Sequence, residues 1–217
     1  MTPCAGTVNT GMRRDDATVV AAMGVEAWAV RRRLPRIRVV RAGIGLASLR
    51  ERISTPVALS VGFAGGLLTE HEPGTVVIPS RVASAAGEGA ECDSEWVAAL
   101  RAASRRLGYL TLDDPLVTTN ALVTDAERHR FARQGFVAVD MESSGIASLA
   151  ERFAVLRVIL DTPAHEIAAA WVHPARAAFD PRHWREGAWL LRNGPRCALR
   201  AADVLAEALH GDVHAEI

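Results

Sequence analysis

The 217 residues carry 25 basic and 25 acidic side chains with no net charge, and 49% are hydrophobic. That is enough apolar material for one sizeable domain, and it gives no bulk reason to expect nucleic acid or another acidic polymer as a partner. Every basic residue is arginine, which excludes a Schiff-base or P-loop lysine, and Cys4, Cys92 and Cys197 are too scattered for a disulfide framework or a zinc site.

Residues 1–16 are small and polar without an apolar signal-peptide core, and are expected to form a loose tail ahead of a domain spanning 17–210. Ala17 to Met23 is a continuous apolar run of buried-strand type, followed by a helix from about Glu26 to Arg33 and a second strand over Ile37 to Arg41. Gly43-Ile44-Gly45 turns into a helix near Leu46 to Ile53. Val57 to Val61 makes a third strand that ends in the glycine-rich turn Gly62 to Gly66. This βαβ alternation predicts an α/β fold with a mostly parallel sheet covered on both faces.

Thr75 to Ile78 reads as a strand after the Pro73-Gly74 turn, and Val97, Leu100, Ser104 and Leu107 as one helix face. Leu116 to Thr119 is a strand, and Thr124 and Glu127 form a capping box opening a helix to about Gln134. Val137 to Asp140 and Ala154 to Leu160 complete the strands. Between them, Ile146, Leu149, Ala150 and Phe153 suggest a helix with a buried face. Two further helices, Arg182 to Arg192 and Arg196 to Leu209, are separated by the breaker Asn193-Gly194-Pro195. No segment approaches the roughly 20 apolar residues needed to cross a bilayer.

Three acids fall at the carboxyl ends of strands, where open α/β sheets bind ligands. Glu142 can accept from both hydroxyls of a sugar diol while Met141 offers a soft apolar surface to a ring face; the bland alternative is a first-turn helix acid. Asp161, partly buried, could hold a proton and deliver it to a ring nitrogen; alternatively it forms a turn before Thr162-Pro163. Glu26 is either a third site acid or an exposed first-turn residue. One protonated and one ionised carboxyl group are what glycosidic cleavage through an oxocarbenium-like transition state requires. His165, His173 and His183 lack metal-ligand spacing, so no metal is expected. Gly43-Ile44-Gly45 lacks the third glycine of a dinucleotide fingerprint, which counts against a nicotinamide oxidoreductase as the third hypothesis. The Trp184 and Trp189 helix has the composition of a membrane-surface helix, or of an amphipathic helix packed on its own domain.

In this order the motifs resemble the purine nucleoside phosphorylase and methylthioadenosine/S-adenosylhomocysteine nucleosidase superfamily. Ala22 to Glu26 looks like its first-strand acid, Gly43 to Gly45 and Gly62 to Leu67 like its next two glycine turns, Pro73 to Ile78 like its following strand, and Val139-Asp140-Met141-Glu142 like its ribose signature. Asp161 falls where the family keeps its purine-protonating acid. The Asp161 to His165 stretch and the Leu190 to Pro195 helix break look most like the hopanoid-associated nucleoside phosphorylase branch, which is thought to release adenine from lipid-linked adenosylhopane.

The resemblance implies a single domain with a central mixed β-sheet, partly closed into a barrel and flanked by helices, in a homo-oligomer, while the three scattered cysteines point to a reducing cytoplasm. It implies cleavage of an adenine nucleoside without metal or organic cofactor, with phosphate or water as acceptor. Asp161 would protonate N7, Glu142 would hold the ribose hydroxyls over Met141, and Glu26 would activate water. Gly24, Ala64, Gly65 and Arg41 are candidates for phosphate or water, and Thr119 and Asn120 for the base. Classical-type phosphorylases carry an arginine before the third glycine turn, where this chain has Ala58 to Val61, so a methylthioadenosine/S-adenosylhomocysteine nucleosidase and a catalytically silent nucleoside-binding protein stand as alternatives.

Overall fold

The computed structural model describes residues 16–49, 53, 55–172, 177 and 179–211; residues 1–15, with Cys4, and His173 lie outside the described residues. Strand β1 (Ala17–Ala21) leads into helix α1 (Gly24–Arg33), and β2 (Arg38–Arg41) pairs parallel with β1. β3 (Val57–Gly66) is the spine of the sheet. Its first half pairs parallel with β1, its far end pairs antiparallel with β9 (Ala138–Asp140), and it pairs parallel with β10 (Arg152–Asp161) along almost its whole length. Both long strands are buried almost throughout, as their continuous apolar runs require.

One branch continues from β9 through β8 (Leu116–Thr118) and β5 (Arg81–Ser84) to β6 (Gly89–Glu91). The other runs from β10 through β4 (Val76–Val77) to β7 (Thr111–Leu112). The sheet is therefore mixed and branched but open, which corrects the expectation of partial barrel closure. β5, β6 and β7 are too short and too polar to stand out as strands in sequence.

Helix α2 (Ser94–Arg106) is capped by Asp93, whose carboxylate accepts from the Trp96 amide at 3.1 Å, and buries Trp96, Val97 and Leu100. Helix α3 (Asp125–Arg133) begins at the expected capping box, with Thr124 and Glu127 bonding reciprocally. Three local expectations fail. The stretch Gly62 to Gly66 continues β3 rather than ending it, because β9 and β10 supply its hydrogen bonds. Helix α4 (Ser143–Ala147) stops early, leaving Leu149 52% exposed and Phe153 inside β10, so the helical spacing of those apolar residues was coincidental. Only a short 3-10 turn, Ile44–Leu46, forms where a helix to Ile53 was expected, and residues 50–52 lie outside the described set.

The two C-terminal helices are one, α5 (Trp184–Gly211), with Pro195 inside it. Packing against α1, α2 and β10 outweighs the single hydrogen bond that the proline removes, and the Asn193 side-chain amide donates to the Trp189 carbonyl at 2.9 Å beside it. No helix is long and apolar enough to cross a membrane among the described residues.

Candidate active site

The carboxyl ends of β1, β3, β9 and β10 open onto a cavity of about 360 Å³, walled on its far side by Ile167, Trp171 and the first half of α5. That volume is in the range of small-ligand sites. The lining includes Glu26, Asp140, Met141, Glu142 and Asp161, together with Ala64 and Gly65. The three acids singled out in sequence therefore meet in one cavity.

Glu26, on the first turn of α1, is 97% buried by the complement of its 3% exposure. Its Oε2 accepts from the Met23 amide at 2.6 Å and its Oε1 from the Phe63 amide at 2.9 Å, so the carboxyl caps its own helix and ties it to β3. Burial, opposed only in part by those amides and by Arg157, pushes its pKa up to about 7. A carboxyl poised there exchanges a proton readily at neutral pH.

Glu142, between β9 and α4, accepts from the Gly45 amide at 3.0 Å, which joins the second glycine turn to the site. Burial raises its pKa and the Arg157 guanidinium, 3.7 Å away, lowers it. Arg157 is the centre of this half of the site. It is 1% exposed, in the middle of β10, and donates through Nε to Asp140 at 2.8 Å and through Nη2 to Ser60 at 2.7 Å and Ser143 at 3.1 Å. Asp140 is in turn held by the Thr118 hydroxyl at 2.7 Å and the Ser143 amide at 3.2 Å.

Glycine at 62 is required by this packing. A β-carbon there would lie 2.5 Å from Oε1 of Glu26 and 2.9 Å from Nη1 of Arg157. Gly65 stands in the same relation to the other half: a β-carbon would lie 3.2 Å from both oxygens of Asp161 and 3.0 Å from Nη1 of Arg128. The glycine-rich stretch thus serves as a flat strand against which charged side chains are laid.

Asp161 ends β10 just after an irregularity in its pairing with β3, between Ile159 and Asp161, the kind of bulge that re-aims a side chain. Its carboxylate pairs with the Arg128 guanidinium from α3, whose Nη1 also donates to the Gly66 carbonyl at 2.6 Å. Burial raises the Asp161 pKa, and Arg128 acts against that rise.

The other sequence candidates are placed less centrally. Thr119 lines the cavity, but its hydroxyl donates to the Ala121 carbonyl at 2.7 Å. Asn120 is exposed and, like Gly24 and Arg41, is not among the lining residues; Arg41 is exposed, with Nη1 3.8 Å from where a Gly24 β-carbon would stand. No cluster suited to a metal occurs among the described residues. His165 packs on Trp189 with ring centroids 4.2 Å apart, and His183 sits 3.5 Å from Glu186.

Sequence reasoning missed Arg128, Arg157 and the Asp140 network. A lone arginine in the run Phe153 to Leu160 was the available signal for Arg157, since a charge inside a doubly covered strand needs buried partners. Arg128 gives no such sign, being one of many arginines on a polar helix.

Solved structures share this fold. A 5′-methylthioadenosine/S-adenosylhomocysteine nucleosidase from Neisseria meningitidis, in complex with methylthio-immucillin-A, superposes with a TM-score of 0.69 at 16% identity, covering 91% of this chain and 99% of that one. A futalosine hydrolase mutant from Helicobacter pylori does so with a TM-score of 0.68 at 11% identity, covering 90% and 98%. A Colwellia psychrerythraea methylthioadenosine/S-adenosylhomocysteine nucleosidase in complex with adenine gives 0.67 at 16% identity, covering 90% and 94%. No curated protein sequence matches the chain. A family model for the phosphorylase superfamily matches residues 19–186, which takes in all the acids around the cavity and every described strand but for the first two residues of β1. On that match, with the fold in agreement, the chain belongs to the phosphorylase superfamily.

Proposed function

We propose that the protein cleaves the N-glycosidic bond of a purine nucleoside. The observation that carries this reading is the distribution of charge along β3. Glu26 and Glu142 gather round Arg157 near Gly62, while Asp161 stands beside Gly65, three residues on and so about 10 Å away along the strand. A nucleoside laid between them would put its base against Asp161 and its ribose against Glu142 and Met141. Asp161 would protonate the departing purine at N7, and the carboxylates at the other end would stabilise the positive charge that develops on the ribose.

Water is the acceptor that the charge favours. Among the described lining residues Arg128 is the only basic one, already paired, against Glu26, Asp140, Glu142 and Asp161; a phosphate dianion would enter a negative site. A carboxyl with a pKa of about 7 at Glu26 suits water activation. The base in this reading is adenine, no metal or organic cofactor takes part, and the enzyme works as a cytoplasmic homo-oligomer.

A lipid-linked nucleoside such as adenosylhopane is the second reading of the substrate. It is favoured by the exposed apolar side chains Phe179, Trp184 and Leu191 (88%, 62% and 81% exposed), the last of which lines the cavity. The test is base release from methylthioadenosine, S-adenosylhomocysteine and adenosine, each with and without phosphate. Phosphate-independent release supports the nucleosidase, and strict phosphate dependence supports a phosphorylase. Tight nucleoside binding without release from any substrate, the lipid-linked one included, supports the silent binding protein.

A further inference from the structure

Arg128 is 4% exposed and lines the cavity, yet only two of its three nitrogens make hydrogen bonds. Nη1 donates to the Gly66 carbonyl at 2.6 Å and Nη2 to Asp161, while the buried Nε makes no hydrogen bond. The carboxylate facing that Nε is Glu166, with Oε1 4.0 Å away. Glu166 is half exposed, but its backbone is pinned on both sides. Thr162 and His165 exchange backbone hydrogen bonds of 3.2 and 2.9 Å just before it, and the Ala168 amide donates to Glu186 of α5 just after it.

We propose that Arg128 and Glu166 are positioning residues for Asp161: the guanidinium divides its charge between the two carboxylates, and Glu166 thereby sets how firmly Asp161 holds a proton. This rests on the reading of Asp161 as the proton donor. The physical reason is a conflict within the site. A buried acid locked to a full cation is a poor donor, whereas one without a cation is costly to ionise when the proton has left. A second carboxylate on the same guanidinium weakens the first attraction without removing it. Burial raises the Asp161 proton affinity, Arg128 lowers it and Glu166 raises it again.

The remaining titratable groups of the lining are Glu26 from α1, Asp140 at the end of β9 and Glu142 just before α4, with Arg157 of β10 behind them. Beyond the lining stand His71 behind Gly66, Cys197 of α5 beneath Ile159, Glu186 of α5, and His165. Arg128 and Glu166 are the charged groups that act on Asp161 itself, and neither touches the ribose half of the site.

Two substitutions should move the Asp161 titration in opposite directions, a result that general loosening of the fold would not give. In the full-length protein, carbon-13 NMR of labelled aspartate carboxyls, with the Asp161 signal identified by its absence in Asp161→Asn, reads that titration directly. Glu166→Gln leaves Arg128 wholly to Asp161 and is expected to lower the midpoint by about half a pH unit, with about 0.5 M salt doing the same to the parent. Arg128→Met is expected to raise it by about one unit, and Arg128→Lys to restore it in part. The acid-dependent limb of kcat/KM for base release should follow each shift. Unchanged midpoints, or shifts of the same sign, overturn the proposal. Glu166→Gln, on an exposed side chain, decides the matter even if Arg128→Met does not fold. Shifts as expected together with undiminished base release by Asp161→Asn would instead sink the proton-donor reading and leave the charge sharing standing.

Discussion

The Arg157 guanidinium lies 3.7 Å from the Glu142 carboxylate and 2.7 Å from that of Asp140, so the cation of this half of the cavity is spent on the protein's own acids. Removing it by Arg157→Met would strand two buried carboxylates, and a loss of about 3–5 kcal/mol of folding stability is expected. Urea melts at neutral pH check this. A loss below 1 kcal/mol would contradict this account of the pairing.

Asp161→Asn keeps the shape but cannot deliver a proton. Base release should fall roughly 10²- to 10⁴-fold in a protein that still folds, with its thermal midpoint lowered because the buried Arg128 loses its charged partner. Activity within a few-fold of the parent would remove Asp161 from the mechanism.

Glu26 supplies a pH signature of its own. Its folded-state pKa of about 7 is raised above its unfolded value, so its contribution to stability is complete below about pH 4.5 and is lost as pH rises through 7. The loss should approach about 3 kcal/mol, and Glu26→Gln should abolish that part of the pH dependence in denaturant titrations. If Glu26 activates water, kcat/KM gains a limb rising through pH 7 that the same variant lacks.

Gly62→Ala would place a methyl carbon 2.5 Å from Glu26 and 2.9 Å from Arg157. Because backbone hydrogen bonds hold Glu26 on both oxygens, the strand must give way, and both activity and stability are expected to fall, activity by at least tenfold. Gly194→Ala, in α5 with nothing near the added carbon, should leave stability unchanged or raise it by up to about 1 kcal/mol. A Gly62→Ala protein as stable and active as the parent would contradict the packing described.

Much of the local structure was written in the chain. Continuous apolar runs announced β1, β3 and β10, the Thr124 and Glu127 pair announced α3, and strand-end position placed Glu26, Glu142 and Asp161 on one edge of the sheet. These features depend on neighbours a few residues apart, which is the range over which period and capping act. The open sheet, the extension of β3 through Gly66 and the single α5 across Pro195 depend on partners far along the chain, which outvoted the local glycine and proline signals. The same holds for charge. That Asp161 meets Arg128, that Glu142 meets Arg157, and that Glu26 is buried enough to hold a proton near neutrality were settled only when the strands and helices were stacked, because ion pairing and desolvation depend on distance in space and not on separation in sequence.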